Sequence, residues 1–331
     1  MWGAPPPVLM IISRTPLRVS FCGGGTDLDW FSNSESTGGM VTSVALDRHI
    51  HVTVNRRFDD MVRVSYSKME LVENFEDIEH ELVRESMRMT GVTSGVEITT
   101  IADIPSRGTG LGSSSSVTVG LLNALHAYAG RSPSPRQLAE EACEIEIDIL
   151  GQPIGRQDQY AAAYGGINSI SFGSEGTNVA PLKITDEATA RISEEFTLVF
   201  TGITRSASEV LSETPEDPND KTSRLREIRR HADVARDLLE EGDLMGLGEL
   251  LRETWDLKRD ISSSVSGVEI EQIHDQIMQT GATGSKLLGA GGGGFFLVHG
   301  GVEVRSGLEK LGLVTIPLEI DEEGSTIVHR G

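Results

Sequence analysis

Pro105-Ser-Arg-Gly-Thr-Gly-Leu-Gly-Ser-Ser-Ser-Ser116 sets glycines at alternate positions, Gly108, Gly110 and Gly112, directly ahead of four serines. An apolar run follows, with Val117, Leu121, Leu125 and Tyr128 spaced on one helical face. The pattern predicts a flexible loop feeding a helix N-terminus. The first N–H groups of a helix lack internal partners and carry the positive end of its dipole. Glycines let the backbone approach an anion closely, and serines add hydroxyl donors or metal ligands. The stretch is therefore suited to a phosphate.

The chain on either side gives this loop a setting. Residues 96–101 read as the strand that delivers it. Further upstream, residues 8–13 and 17–22 read as strands split by Arg14-Thr-Pro16, and Cys22-Gly-Gly-Gly-Thr-Asp27 reads as a turn. Residues 41–45, 49–55 and 61–65 read as short strands, and 75–90 as a helix ended by Gly91. Downstream, helices are predicted over 113–129 and 135–150. The tail of the second, Glu144-Ile-Glu-Ile-Asp-Ile149, also alternates as a strand would. Residues 151–158 read as a loop, 159–164 as a helical turn, and 165–172 and 198–201 as strands. Helices near 222–241, 243–260 and 268–280 precede Leu288-Gly-Ala-Gly-Gly-Gly-Gly294, which feeds a buried strand, and a last strand lies near 325–329. No internal repeat is visible. A chain of 331 residues suits two domains, divided as 8–185 and 186–331.

Composition narrows the partners. The net charge of −21 argues against nucleic acid and anionic membranes, which need a basic face. A phosphate site must then be built locally, from backbone N–H groups, a few arginines and a divalent cation. No run approaches the ~20 apolar residues of a membrane span. The first ten residues carry three prolines and no basic group, unlike a signal peptide. Cys22 and Cys143 have neither metal-ligand spacing nor the number for a disulfide framework. They are expected as buried reduced thiols of a cytoplasmic protein.

Several nucleotide motifs are excluded. No G-x-x-x-x-G-K-[ST] occurs. Gly289-Ala-Gly-Gly-Gly-Gly294 matches G-x-G-x-x-G as a string, but it precedes a strand, whereas the dinucleotide fingerprint follows one and opens a helix. The protein-kinase set and the G-x-S-x-G elbow are absent. What remains is a phosphate loop with two acidic positions downstream, Glu146 and Asp158. Phosphoryl transfer needs a cradle for the triphosphate, Mg²⁺ across the β and γ oxygens, and a carboxylate at the attacking hydroxyl.

With these residues in place, the chain resembles the GHMP-type small-molecule kinases, the superfamily of galactokinase, homoserine kinase and mevalonate kinase. The resemblance rests on Arg14-Thr-Pro-Leu-Arg-Val-Ser-Phe-Cys-Gly-Gly-Gly-Thr-Asp27, on the Gly-Leu-Gly-Ser-Ser loop and on the glycine run from Leu288 to Gly294, in that order. The first motif and Gly155-Arg-Gln-Asp-Gln-Tyr160 are most similar to the sugar-1-kinase branch. The resemblance implies an α+β fold of two domains, an N-terminal one with a mixed sheet and a C-terminal ferredoxin-like one. It implies ATP-dependent phosphorylation of a sugar or sugar-phosphate hydroxyl, the anomeric one, with Mg²⁺, in a monomer or homodimer. By the same resemblance, Gly108, Gly110, Leu111, Gly112, Ser113, Ser114, Ser115 and Ser116 bind ATP. Ser114, with Ser113 or Ser115 as close alternatives, and Glu146 hold Mg²⁺, Asp158 is the catalytic carboxylate, and Arg18 stands beside it. Thr26, Asp27, Asp158, Gly291 and Gly292 bind the sugar. Galactokinases carry Glu-His where this chain has Gly24-Gly25, which argues against galactose.

Other readings stay open at this level. One is a sister kinase acting on fucose, another sugar or an isoprenoid alcohol. Another is a sensor that binds ATP and sugar without turnover. Arg205, in Gly202-Ile-Thr-Arg-Ser-Ala-Ser208, follows a strand and is a candidate for a phosphate already on the substrate. His49 and His51 alternate on a strand and would make a metal pair only with a third ligand that the sequence does not place. Ser285-Lys286 either supports the last glycine run or ends a helix.

Overall fold

Residues 10–104, 108–204, 218–260 and 265–331 are described by the computed structural model, and Arg205 lies outside them. The elements in chain order are β1 (Met10–Cys22), α1 (Asp29–Ser32), β2 (Gly39–Arg56), β3 (Val62–Ser65), β4 (Met69–Val72), α2 (Glu81–Thr90), β5 (Val96–Ala102), α3 (Ser113–Tyr128) and α4 (Pro135–Cys143). A π-helical turn (Glu144–Ile149) extends α4. There follow α5 (Gln157–Tyr164), β6 (Ile167–Gly173), β7 (Gly176–Pro181), α6 (Asp186–Glu195), β8 (Phe196–Phe200), α7 (Pro218–Glu241), α8 (Leu244–Arg259), α9 (Val268–Gln279), β9 (Gly284–Leu287), β10 (Phe295–His299), α10 (Gly301–Lys310), β11 (Val314–Pro317) and β12 (Thr326–Arg330).

These strands form an eight-stranded mixed sheet and a four-stranded antiparallel one. The first runs β12-β1-β2-β5-β3-β4, with β6 on β2 and β7 on β6; the second runs β11-β8-β10-β9. The β3–β5 pair is parallel, which makes the larger sheet mixed. The α+β fold of two sheet domains is the expected one. Its division along the chain is not contiguous at 185/186, because β12 returns from the C-terminal end to pair with β1.

Several local expectations change for physical reasons. The two strands around Pro16 are one strand, with a register break between Pro16 and Leu17. Proline lacks an N–H donor, and a bulge absorbs the loss. The helix over 75–90 begins only at Glu81, behind a short 3₁₀ turn. Helix α3 is not amphipathic: it is buried nearly all round, and Val117 and Tyr128 are among its less buried residues. It lies on β1 and β2 because Gly120 lets the backbones meet. A Cβ there would stand 3.0 Å from Thr15 Oγ1 and 3.2 Å from Val52, and the Gly120 carbonyl accepts a 2.8 Å bond from the Ser13 hydroxyl. Burying Leu121, Leu122 and Leu125 completely contributes about 1.5–3 kcal/mol each. The core continues between the sheets through the edge-to-face pair Phe21–Phe196, 5.7 Å between centroids. It anchors the end of β1, and with it the turn that follows, against the second sheet.

Candidate active site

The loop over 108–112 reaches helix α3 in left-handed backbone, with φ of +68° at Gly108 and +74° at Gly110 and Gly112. Only glycine takes that conformation without strain. Gly112 is the N-cap of α3 and no side chain caps the helix, so the first-turn N–H groups are free for a ligand. Leu111 points its side chain into the core, and its carbonyl accepts the Arg18 N–H at 3.0 Å. The loop is thereby fixed onto β1.

Arg18 and Asp158 meet beneath this loop. The guanidinium grips the carboxylate at both oxygens, Nε to Oδ1 at 2.6 Å and Nη2 to Oδ2 at 2.8 Å. Its third nitrogen donates to the Gly110 carbonyl. Arg18 is buried, whereas the Asp158 side chain keeps 22% exposure, enough for a ligand to reach it. The fork also fixes the rotamer of Asp158 through two parallel bonds. Gly112 closes the group: a Cβ there would stand 3.1 Å from Asp158 Oδ2 and from Arg18 Cγ. The pairing expected of residues 140 apart in sequence is thus present.

Ser114 and Glu146 also come together, Oγ to Oε1 at 2.9 Å, and Gln159 Nε2 donates to the other oxygen at 2.8 Å. Glu146 is fully buried, and burial pushes its carboxyl up to about 7 against the hydrogen bonds from Gln159, Ser114 and Ser115. The Glu144–Ile149 stretch is helical, not a strand. Its wide π turn places Glu146 inward, and such turns recur at functional sites. A buried carboxylate with no cation at hydrogen-bond distance among the described residues, beside an exposed serine, suits a divalent ion. Ser114 is the exposed serine of the four. Ser113 and Ser115 are buried, and Ser116 donates to the Pro16 carbonyl at 2.8 Å.

Asp27 is almost completely buried. It accepts from Gly25 N, Gln157 N and Gln157 Nε2 at 3.0, 3.1 and 2.9 Å. Burial raises its pKa, and the nearby Asp158 charge raises it further. Through the Gln157 N–H it ties the glycine turn to the start of α5, the helix that carries Asp158. Gly155 permits this closeness, since a Cβ there would stand 2.0 Å from Asp27 Oδ2.

Three expectations for substrate contact meet different outcomes. Thr26 is fully buried and its hydroxyl is consumed by Gly23 O, Met40 O and Met40 N at 2.8–3.0 Å, so it locks the turn and offers no free group. Gly292 N–H is bonded to Val265 O at 2.9 Å, and a Cβ on Gly291 would lie 2.9 Å from Val265 Cα. These two glycines serve packing. Arg205 belongs to the undescribed residues.

The sequence reading missed the amides that hold the acids, Gln157 and Gln159, though they bracket Asp158. It also missed Lys258, and it left Lys286 as either a support for the last glycine run or a helix end. Lys286 lies on strand β9, not at a helix end, and is buried; burial first, with Arg18 adding, lowers its amine to about 8. Lys258 is half-buried as a residue, but its ammonium donates to the Leu287 and Gly289 carbonyls. Burial, then the charges of Lys286 and Arg18, holds it well below the usual lysine range. A strongly acidic chain therefore gathers three basic side chains, Arg18, Lys258 and Lys286, behind the loop that would receive phosphate.

The family models described as GHMP kinases N terminal domain and GHMP kinases C terminal match residues 80–166 and 235–309. The fold is that of a GHMP kinase, and the chain belongs to that family. It is 30% identical over 303 residues to the D-glycero-alpha-D-manno-heptose 7-phosphate kinase of Campylobacter jejuni subsp. jejuni serotype O:2, covering 86% of this chain and 88% of that one. Among solved structures, a D-glycero-D-manno-heptose 1-phosphate kinase from Bacteriodes thetaiotaomicron superposes with a TM-score of 0.80 at 22% identity, over 96% of this chain and 99% of that one. Galactokinase from Lactococcus lactis, complexed with galactose, gives 0.72 at 18% identity, over 98% and 96%. At those two identities the likeness speaks to the fold. Among the described residues no helix is long and apolar enough to cross a membrane.

Proposed function

We propose that the chain transfers the γ-phosphate of ATP to a hydroxyl of a sugar phosphate, the acceptor class in the name of its heptose 7-phosphate kinase relative, and that this hydroxyl is the anomeric one. The observation that carries this reading is the Arg18–Asp158 fork set under an uncapped helix N-terminus. The free N–H groups of α3 and the loop over 108–112 receive the triphosphate, beside the Arg18 charge and the basic groups of Lys286 and Lys258, which an incoming anion favours in their charged forms. Mg²⁺, held by Ser114 and Glu146, would neutralise charge on the β and γ oxygens. Asp158 accepts a hydrogen bond from the attacking hydroxyl and orients it, while Arg18 holds that carboxylate still. The turn over 23–27, drawn close to Asp158 through Asp27 and Gln157, is the acceptor side.

The test is ADP release over a panel of sugars, sugar phosphates and isoprenoid alcohols, with the product position read by NMR. Turnover on a sugar phosphate with a new anomeric phosphate is the expected result. Turnover only on a free sugar or an alcohol would move the assignment to a sister kinase, and ATP binding without turnover on any acceptor would make the protein a sensor.

A further inference from the structure

Strand β2 carries His49 and His51 two residues apart, on one face. The structure supplies the third ligand that the sequence left unplaced. Asp103, the first residue past β5, has one carboxylate oxygen 3.7 Å from His49 Nδ1 and the other 3.7 Å from His51 Nε2. The three candidate ligand atoms lie within 4.8 Å of one another.

The group is held in place before any ion arrives. His49 N–H donates to Asp103 Oδ2 at 2.9 Å, and Asp103 N–H donates to the His49 carbonyl at 3.0 Å. On the far edge of the ring, His49 Nε2 lies 2.8 Å from Asp321 Oδ2, and the other Asp321 oxygen accepts the N–H groups of Glu323 and Gly324 at 3.0 and 2.8 Å. A carboxylate held in this way accepts a proton donor, which assigns the imidazole hydrogen to Nε2. The Nδ1 lone pair is then left facing Asp103 and His51. Metal-binding histidines are commonly oriented by a carboxylate on the opposite ring nitrogen.

We propose that His49 Nδ1, His51 Nε2 and Asp103 bind a zinc-type divalent ion, at a site distinct from the Mg²⁺ of the phosphate loop. Two imidazoles and one carboxylate suit Zn²⁺, whereas Mg²⁺ prefers oxygen ligands throughout. Ligands of a tetrahedral ion with bonds of about 2.0 Å stand about 3.3 Å apart, so atoms now 3.7 Å apart on Asp103 and within 4.8 Å overall would draw together on binding. Three protein ligands leave the fourth position to water. Because Asp103 stands five residues ahead of Gly108, the ion ties the root of the phosphate loop to β2. Through Asp321 it also ties to the segment returning from the C-terminal end. The opposite edge of His49 gathers Asp47 and Asp321, but that set has a single imidazole and needs the Nε2 proton removed.

The experiment titrates the full chain with Zn²⁺ against a chromophoric chelator, in excess Mg²⁺ to occupy the phosphate site, and repeats it with Co²⁺. One equivalent should bind ahead of the chelator, and Co²⁺ should give the strong visible bands of four-coordination. His51→Ala, at a part-exposed position, and Asp103→Asn, which keeps an oxygen for the His49 N–H, should each weaken binding by about tenfold or more. Asp47→Ala should leave it unchanged. The proposal is overturned if wild type takes no Zn²⁺ from the chelator, or if Co²⁺ shows only weak six-coordinate bands. It is equally overturned if His51→Ala and Asp103→Asn bind as wild type, or if Asp47→Ala removes the binding.

Discussion

The two glycine-rich stretches, residues 108–112 and 289–294, share a composition and a left-handed backbone but do opposite work. The first ends at a helix whose leading N–H groups have no cap. The second has two of its N–H groups spent within the fold, Gly292 on Val265 and Gly294 on Ile203, at 2.9 and 2.8 Å. Added Cβ atoms separate them as well. At Gly294 a Cβ would lie 2.2 Å from Thr109 O, and at Gly289 2.5 Å from Gly110 Cα, so the second stretch is the bed on which the first rests. Glycine content alone does not mark a ligand site; what the freed N–H groups point at does.

The largest effect expected tests the chemical side of this contrast. Asp158→Asn keeps the shape below the first stretch but cannot accept both Arg18 bonds or orient a hydroxyl as a carboxylate does. The rate constant kcat should fall about 10²–10⁴-fold. ATP affinity, measured by equilibrium titration, should stay within about threefold, because the triphosphate contacts reside in the loop and helix. A kcat within tenfold of wild type would remove Asp158 from the chemistry.

Next comes the bed. Gly294→Ala forces a side chain into backbone 2.2 Å away at φ +95°. Overpacking costs about 1–3 kcal/mol and the strained φ about 1–2 more, so the urea midpoint should drop by the equivalent of about 2–5 kcal/mol. Unchanged stability with lost ATP binding would mean that this stretch touches nucleotide after all, and the contrast would fail.

How far the sequence could go follows from which contacts are local. The loop, the serines, the helix behind them and the two carboxylates were legible because each is marked within a few residues. Glu146 sat in an alternating stretch that strand and helix explain equally well; only a π turn, a choice made by packing, aims it inward. The hydroxyl of Thr26 is spent on Met40, 14 residues on, and the partner of His49 and His51 is Asp103, beyond the next strands. Lys258 and Lys286 acquire meaning only when α8 and β9 are packed together and brought near Arg18. The return of β12 to β1 joins opposite ends of the chain, which no local pattern records.

Glu146 gives a pH signature at the serine end of the first stretch. Burial raises its carboxyl from 4.5 to about 7. Between those values the folded chain holds a proton that the unfolded chain releases, so stability is full below about 4.5 and is lost as pH rises through about 7. Without divalent cation, going from about pH 5.5 to about pH 8 should cost the wild type about 2 kcal/mol by this group. Glu146→Gln should flatten that part of the slope, as read from urea midpoints across pH. An unchanged slope in the variant would mean that Glu146 is already ionised when buried. Mg²⁺ should recover stability at high pH in the wild type and much less in the variant, since it binds the ionised carboxylate.

The smallest effect on stability is expected at Gly112, where the two roles come closest together. Its φ of +74° costs alanine about 1–2 kcal/mol, and the added Cβ meets tight neighbours but no backbone, Arg18 Cγ and Asp158 Oδ2 at 3.1 Å. The chain should fold with a modest loss. Yet the methyl group enters the face shared by the Arg18–Asp158 fork and the first N–H groups of α3, where a shift of a few tenths of an ångström misaligns attack. We expect kcat/KM to fall about 10–100-fold, out of proportion to the stability lost, as for misplaced reacting groups generally. Gly294→Ala should show the reverse ratio, large in unfolding and small in kcat at temperatures where it is folded. If both variants lost activity only in step with stability, the two stretches would be one packing unit, and the free helix end would be no evidence for a nucleotide.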